Sequence, residues 1–381
     1  MAKDAKELKA LVLQGGGALG SYQAGVFDAL AEGGIEVDWV AGISIGAING
    51  AIICGNPPER RVERLAQFWR QTSSLLSAPP MTQDATSLRL FNESSAAMTA
   101  SFGVPGFFTP RAPPLIPGWP YGPGQLSLYD TSSLKETLLR LVDFDLLNAG
   151  PLRYSIGATN AHTGNFQYFD TKYHKIGPEH VMASGALPPG LPPIEIGGEF
   201  YWDGGLVSNT PLQYVLDFES AQEDICVFQI DLFSAVGELP KTMLEVAQRE
   251  KDIRYSSRTR LNTDVERRRC DVRKAIHRFS AKVPAELRED PDWRLVEEFG
   301  SPHATTIVHL IHRRALAESA SKDYEFSRYT MQRNWADGRM DVEKTLTHPD
   351  WIARTLPQGG VKVFDLTLSR EEREASGTIG N

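Results

Sequence analysis

Three short segments of this chain combine residue types that can carry acyl-transfer chemistry. Gly42-Ile43-Ser44-Ile45-Gly46 sets a serine between glycines two residues away on either side. Where such a G-x-S-x-G segment joins a strand to a helix, the small residues allow a turn sharp enough to project the serine hydroxyl. A glycine-rich turn that only packs a helix on a sheet has the same spelling. Upstream, Gly15-Gly16-Gly17-Ala18-Leu19-Gly20 offers converging backbone amides next to a helix start, where the helix dipole favours an anion or a developing oxyanion. Downstream, Asp203-Gly204-Gly205 leaves a carboxylate beside two residues that let backbone approach closely, although Asp and Gly also make plain tight turns.

Taken one at a time, these segments leave other chemistries open. Gly15, Gly17 and Gly20 also satisfy G-x-G-x-x-G, and Asp38 lies near the end of the next strand, about where a ribose-binding acid stands in dinucleotide-binding folds. The serine would then be incidental, and its own strand-turn-helix setting weighs against that. A Ser-His-Asp triad is a second alternative, because His277, His303, His309, His312 and His348 all follow Asp203. His303 and His309 sit best for it, yet Ser44 comes early for an ordinary α/β-hydrolase.

The elements around these segments read as strand, glycine loop, helix, strand, tight turn, helix. Leu11 to Leu13 form a short apolar run, Ala24, Phe27 and Leu30 carry helical spacing, Gly33 and Gly34 close that helix, and Val37 to Val40 give a second strand. Strands alternating with helices imply right-handed crossovers and a mainly parallel central sheet in a three-layer α/β/α fold. From about 77 to 125 the chain fills with Pro, Gly, Ser and scattered aromatics such as Phe107, Trp119 and Tyr121, so little regular structure is expected there. That insertion is a candidate cover for a site. Order returns at Ser133, whose S-x-x-E spacing to Glu136 has the form of a capping box. Arg153 to Thr159 and Asn165 to Asp170 alternate like paired strands, and Ile225 to Leu232 and Thr306 to Leu310 are apolar strands. From Lys241 to His277 the pattern is helical and basic, with Arg258, Arg267 and Lys274 interleaved with Glu250, Asp264 and Asp271, which favours a solvated face laced with ion pairs over an anion-binding patch.

Composition bounds the function class. The 381 residues are 41% hydrophobic and 23% charged, in the range of ordinary folded proteins, and a net charge of −8 argues against nucleic acid as a partner. Cys54, Cys226 and Cys270 are widely spaced and suggest neither a disulfide framework nor a metal site. The segment Met1 to Lys9 lacks the apolar run of a secretion signal, and no stretch reaches the roughly 18 apolar residues of a spanning helix. A cytoplasmic protein is expected, with any membrane contact peripheral.

In their order and setting the three segments resemble the patatin-like phospholipases, from about Leu11 to Leu212, and the tail from about Phe218 resembles the C-terminal extension of a bacterial subgroup. The resemblance implies Ser44 as nucleophile, Asp203 as its only side-chain partner, and an oxyanion hole from Gly15, Gly16 and Gly17, with Gly16 and Gly17 the main donors. Gly42 and Gly46 would flank the nucleophile elbow. It implies a lipid or other acyl-ester substrate, no metal and no cofactor, and carries over no histidine. It divides the chain into a catalytic unit at 8–240, with the insertion inside it, and a mainly helical extension at 241–381. One departure stands out: plant-type members commonly have Arg or Lys where this chain has Leu19. An aspartate near its ordinary pKa of about 3.9 is a feeble base, so placement against Ser44 and exclusion of water would have to activate the hydroxyl.

Overall fold

The computed structural model describes residues 7–82, 84–116, 118–219, 223–257, 259–313, 321–355 and 360–367, without the side chains of 85, 218, 219, 259–264 and 266. Residues Met1 to Lys6, Arg258 and the side chain of Asp264, on which parts of the sequence reading fall, lie outside that set.

Among the described residues eleven strands form: β1 Leu8–Leu13, β2 Trp39–Gly42, β3 Thr109–Pro110, β4 Tyr129–Asp130, β5 Arg153–Asn160, β6 Phe166–Asp170, β7 Ile194–Ile196, β8 Glu199–Asp203, β9 Ile225–Asp231, β10 Ala304–Ile311 and β11 Gly360–Phe364. Nine of them make one sheet in the order β11-β10-β9-β1-β2-β5-β8-β7, with β6 also paired to β5, while β3 and β4 pair separately. The run from β11 to β5 is parallel, and β6, β7 and β8 add antiparallel pairs. This is the expected mainly parallel sheet. Its central strand β1 is apolar on both faces: Leu11 and Leu13 join one core cluster, Ala10 and Val12 the other. Helices Gly20–Glu32, Ile45–Cys54 and Pro58–Thr72 cover the first face, and Leu212, Val215 and Leu216 of helix Leu212–Glu219 cover the second.

Two features of this sheet set up the site. The parallel strands β1 and β2 end together, Leu13 opposite Gly42, so the glycine loop and the serine turn leave the sheet side by side. On the far side of β2, Gly42 is opposite Ile156 of β5, and β8 takes up the same edge of β5 two residues further on, with Asp203 opposite Ala158. The other edge of β5 is occupied throughout by β6. The end of β8 therefore continues the lane that β2 leaves at the turn, which delivers Asp203 beside Ser44.

Several local expectations are corrected. The insertion is more regular than expected, because Ala85–Phe102 is a helix of 18 residues started by Asp84, whose carboxylate accepts from Ser87 N–H at 3.0 Å. Its sequence holds no proline or glycine, and apart from Pro79 and Pro80, just before it, the prolines and glycines that suggested a loop lie C-terminal to it. The helix at Ser132–Leu141 does not use a box at Ser133 and Glu136: Asp130 accepts the Ser132 N–H at 2.9 Å instead. The region beyond 241 is more than helical, since β10 and β11 extend the central sheet from β9. Its basic helices are laced with ion pairs as expected, including Arg254 with Glu250 and Arg269 with Asp217.

Candidate active site

Ser44 stands at the turn between β2 and helix Ile45–Cys54 with φ 55° and ψ −122°, the one non-glycine residue with positive φ among the described residues. Such a backbone is strained and persists only where neighbours hold it. Three contacts do so. A Cβ on Gly46 would come 2.4 Å from the Leu13 carbonyl oxygen, and one on Gly42 would come 2.4 Å from Gly46, so both glycines of the motif are required for close backbone packing. The Ser44 N–H donates to Ser184 Oγ at 3.0 Å, and that hydroxyl donates onward to the Gly157 carbonyl of β5 at 2.7 Å.

Asp203 ends β8 with its backbone tied on both sides, its N–H to the Ala186 carbonyl at 2.9 Å and its carbonyl receiving Thr159 Oγ at 3.1 Å. One carboxylate oxygen accepts the Gly205 N–H at 2.7 Å, and the Ser44 side chain lies close enough to favour the ionised carboxyl. With only 4% of its surface exposed, burial pushes the carboxyl up from 3.8 to about 7, against the Gly205 N–H and the nearby Ser44 side chain, which pull it down. The expectation of an ordinary, feeble carboxylate is thus corrected by its loss of water.

The glycine loop faces both residues. Gly15 donates its N–H to the Asn209 carbonyl at 3.1 Å, so its amide is engaged and is removed from the expected donor set. The N–H groups of Gly16 and Gly17 have no acceptor among the described residues. Asn209 Nδ2 returns to the Gly15 carbonyl at 3.1 Å and also reaches the Tyr255 carbonyl at 2.9 Å. Gln14 braces the loop from behind, its Oε1 accepting the N–H groups of Leu232 and Phe233 at 2.6 and 2.9 Å. Leu19, at the position of the missing cation, is buried in the core.

A cavity of about 520 Å³ opens over Ser44, Asp203 and the glycine loop. Its walls are largely apolar: Ala96, Ala97 and Ala100 from helix Ala85–Phe102, then Phe107 and Phe108, then Leu187 and Leu191. The insertion does line the site, through its helix and this aromatic pair, whereas Trp119 of its proline-rich part is 65% exposed. Tyr255, Asp323, Tyr324 and Phe326 close the wall from the C-terminal region.

The competing assignments fail on position. Asp38 precedes β2 and pairs with Lys9 at the opposite end of the sheet from the glycine loop, its Oδ2 accepting the Lys9 N–H at 2.9 Å, so it cannot meet a ribose bound there. Among the described residues no histidine lines the cavity. His309 is buried within β10 with burial holding its imidazole down at about 4, His303 faces Asp224 at the start of that strand, and His312 packs edge-on against Tyr22. Ser184, Asn209 and Gln14 were not singled out in the sequence. The only sign of Ser184 is a second run of small residues, Ala183-Ser184-Gly185-Ala186.

Comparison with known proteins gives the family. Residues 11–216, just over half of the chain, match the family model of the patatin-like phospholipases, and residues 253–358 match a second model described as Patatin phospholipase. The chain belongs to the patatin-like phospholipase family, a family of hydrolases. Among curated relatives, the neuropathy target esterase sws of Drosophila melanogaster is 37% identical over 95 residues, 24% of this chain and 7% of that protein. Its counterpart in Drosophila sechellia is 37% identical over 95 residues, 24% of this chain and 6% of the relative, so this chain spans only a small part of either protein's length. Among solved structures, VipD from Legionella pneumophila is 13% identical with a TM-score of 0.35, covering 87% of this chain and 67% of that one. ExoU of Pseudomonas aeruginosa, solved with SpcU, is 18% identical with a TM-score of 0.27 over 67% of this chain and 51% of that one.

Proposed function

We propose that this protein hydrolyses acyl esters through a Ser44-Asp203 dyad, with phospholipid or lysophospholipid as the substrate class. The observation that carries the reading is the strained Ser44 beside the buried Asp203 carboxyl, both lining the floor of an apolar cavity. Asp203 takes the Ser44 proton as Oγ attacks the ester carbonyl carbon. The oxyanion is met by the free N–H groups of Gly16 and Gly17, aided by the N-terminus of helix Ile45–Cys54. Collapse breaks the bond to the alcohol, which leaves with the proton from Asp203. Water then attacks the acyl-enzyme, giving its proton to Asp203, and as the bond to Oγ breaks and the acid departs Asp203 returns that proton to Ser44. The apolar walls suit an acyl chain, and membership of a phospholipase family supports a lipid as its bearer. The chemistry resides in 8–240, with the wall completed from 241–381. Since no helix among the described residues is long and apolar enough to cross a membrane, contact with lipid would be peripheral.

The test is turnover of p-nitrophenyl esters of graded chain length and of phosphatidylcholine. Ser44→Ala and Asp203→Asn are expected to lower kcat/KM by about 10³-fold or more. His303→Ala and His309→Ala are expected to stay within a few-fold of wild type. Retained activity in Asp203→Asn, or a loss in a histidine variant equal to that of Ser44→Ala, would remove the dyad.

A further inference from the structure

Gly16 and Gly17, the proposed oxyanion donors, are wedged in place from two directions. A Cβ on Gly16 would lie 2.7 Å from Leu232 Cδ1, so that residue rests on the strand end held by Gln14. A Cβ on Gly17, whose φ is +54°, would lie 2.2 Å from the carbonyl oxygen of Asp323. Gly17 is thus braced by backbone from the C-terminal region, more than 300 residues away in sequence.

The segment that presents this carbonyl is a single 3-10 turn, Lys322–Tyr324, with little structure of its own. It is fastened to helix Met243–Tyr255 by two crossed ion pairs. Lys251 Nζ lies 2.5 Å from Asp323 Oδ1, and Lys322 Nζ lies 2.8 Å from Asp252 Oδ1. Adjacent residues of opposite charge on the helix therefore meet adjacent residues of opposite charge on the turn. All four side chains are mostly buried, between 10% and 21% exposed. Screening by water is weak at such a site, and loss of one partner from a buried pair costs more than loss of an exposed one. The lysine stems also reach cavity-lining rings, Lys251 Nζ 5.3 Å from the Tyr324 centroid and Lys322 Nζ 5.5 Å from that of Phe233.

We infer that Lys251 and Asp323 are positioning residues for the reaction: their ion pair, seconded by Lys322 with Asp252, fixes the Asp323 carbonyl against Gly17 and so sets the aim of the oxyanion amides. The inference rests on the proposed serine mechanism. An amide stabilises an oxyanion only at about 2.7–3.1 Å, and misplacement by about 1 Å costs on the order of 10²-fold. Release of the turn leaves Ser44 and Asp203 on their own strands and moves the donors.

The experiment compares wild type, Lys251→Met, Asp323→Asn, Lys251→Arg and the exchanged double variant Lys251→Asp with Asp323→Lys. Three quantities are read: kcat and KM on a short-chain p-nitrophenyl ester, the rate of Ser44 phosphonylation by a neutral p-nitrophenyl phosphonate, and the melting temperature. In both charge-removing variants kcat and phosphonylation should fall together by about 10-fold or more, with KM within about 3-fold. Lys251→Arg should keep most of the rate, and the exchanged pair should recover a large part of what either single change loses. The inference is overturned if the melting temperature falls while kcat and phosphonylation hold, or if KM alone rises. Should Asp323→Asn fail to fold, Lys251→Met and the exchanged pair decide the matter. Failure of the underlying mechanism looks different, because wild type itself would then leave Ser44 unlabelled.

Discussion

A carboxyl that has lost nearly all its water is a different base from one in solution. Asp203, 4% exposed and raised to about 7, has a proton affinity suited to taking and returning the serine proton near neutral pH. Two consequences follow for this residue. kcat/KM on a p-nitrophenyl ester should rise with pH as one ionisation near 7, because in the proposed dyad the ionised form is the base; a profile flat from pH 5 to 9 would assign the proton transfer elsewhere. Stability should move the other way. A folded pKa above the unfolded value of 3.8 means that the native state binds more protons, so this group destabilises the fold progressively from about pH 4 through 7. The full cost is at most about 4 kcal/mol, reached above pH 7. Asp203→Asn, which the proposed dyad makes inactive, is expected to melt above wild type at pH 8 and to converge with it near pH 4, which a pair of thermal melts would check.

The elements that carry chemistry were legible in the sequence because backbone geometry restricts their residue types. A turn as tight as that at Ser44 admits only glycine at 42 and 46, and strand-turn-helix order fixed where the serine would point. What supports the turn was hidden, since a buried serine that receives one backbone N–H looks like any other. Ser184 lies 140 residues from Ser44 and meets it only in the folded protein, where its hydroxyl also reaches Gly157 of β5. Asp38 misled for the converse reason: its spacing suited a ribose, but the parallel register of β1 and β2 sets it at the wrong end of the sheet. The helix Ala85–Phe102 was masked by the prolines just before it and the prolines and glycines that follow it. Ser184 yields a prediction at this scale. Ser184→Ala orphans the Ser44 N–H in a buried, strained turn, at a cost of about 1–3 kcal/mol. kcat should fall by about 10-fold with KM little changed, measured on a short ester alongside a melt, and an unchanged kcat would show that the glycines alone hold the turn.

For the whole molecule, the question is whether the first 240 residues form a unit. Their motifs suggested a catalytic domain with an appended extension, because strand pairing between distant segments leaves no mark in a linear sequence. The sheet argues for a single body. β9 is buried along its whole length and pairs with β10 from Ile225 opposite Thr305 to Asp231 opposite Ile311. Removing β10 turns the middle of the sheet into an open edge of unpaired backbone groups and apolar side chains, a template for aggregation. The same cut removes Tyr255, Asp323, Tyr324 and Phe326 from the cavity wall and the brace behind Gly17. A chain ending at Pro240 is therefore expected to be insoluble or molten, and its Ser44 should not react with a phosphonate that labels the full chain. Solubility, near-ultraviolet circular dichroism and labelling of the two chains side by side provide the check. A soluble, cooperatively melting and fully labelled fragment would mean that the C-terminal region is an accessory, and that the oxyanion loop holds its aim without the turn at Asp323.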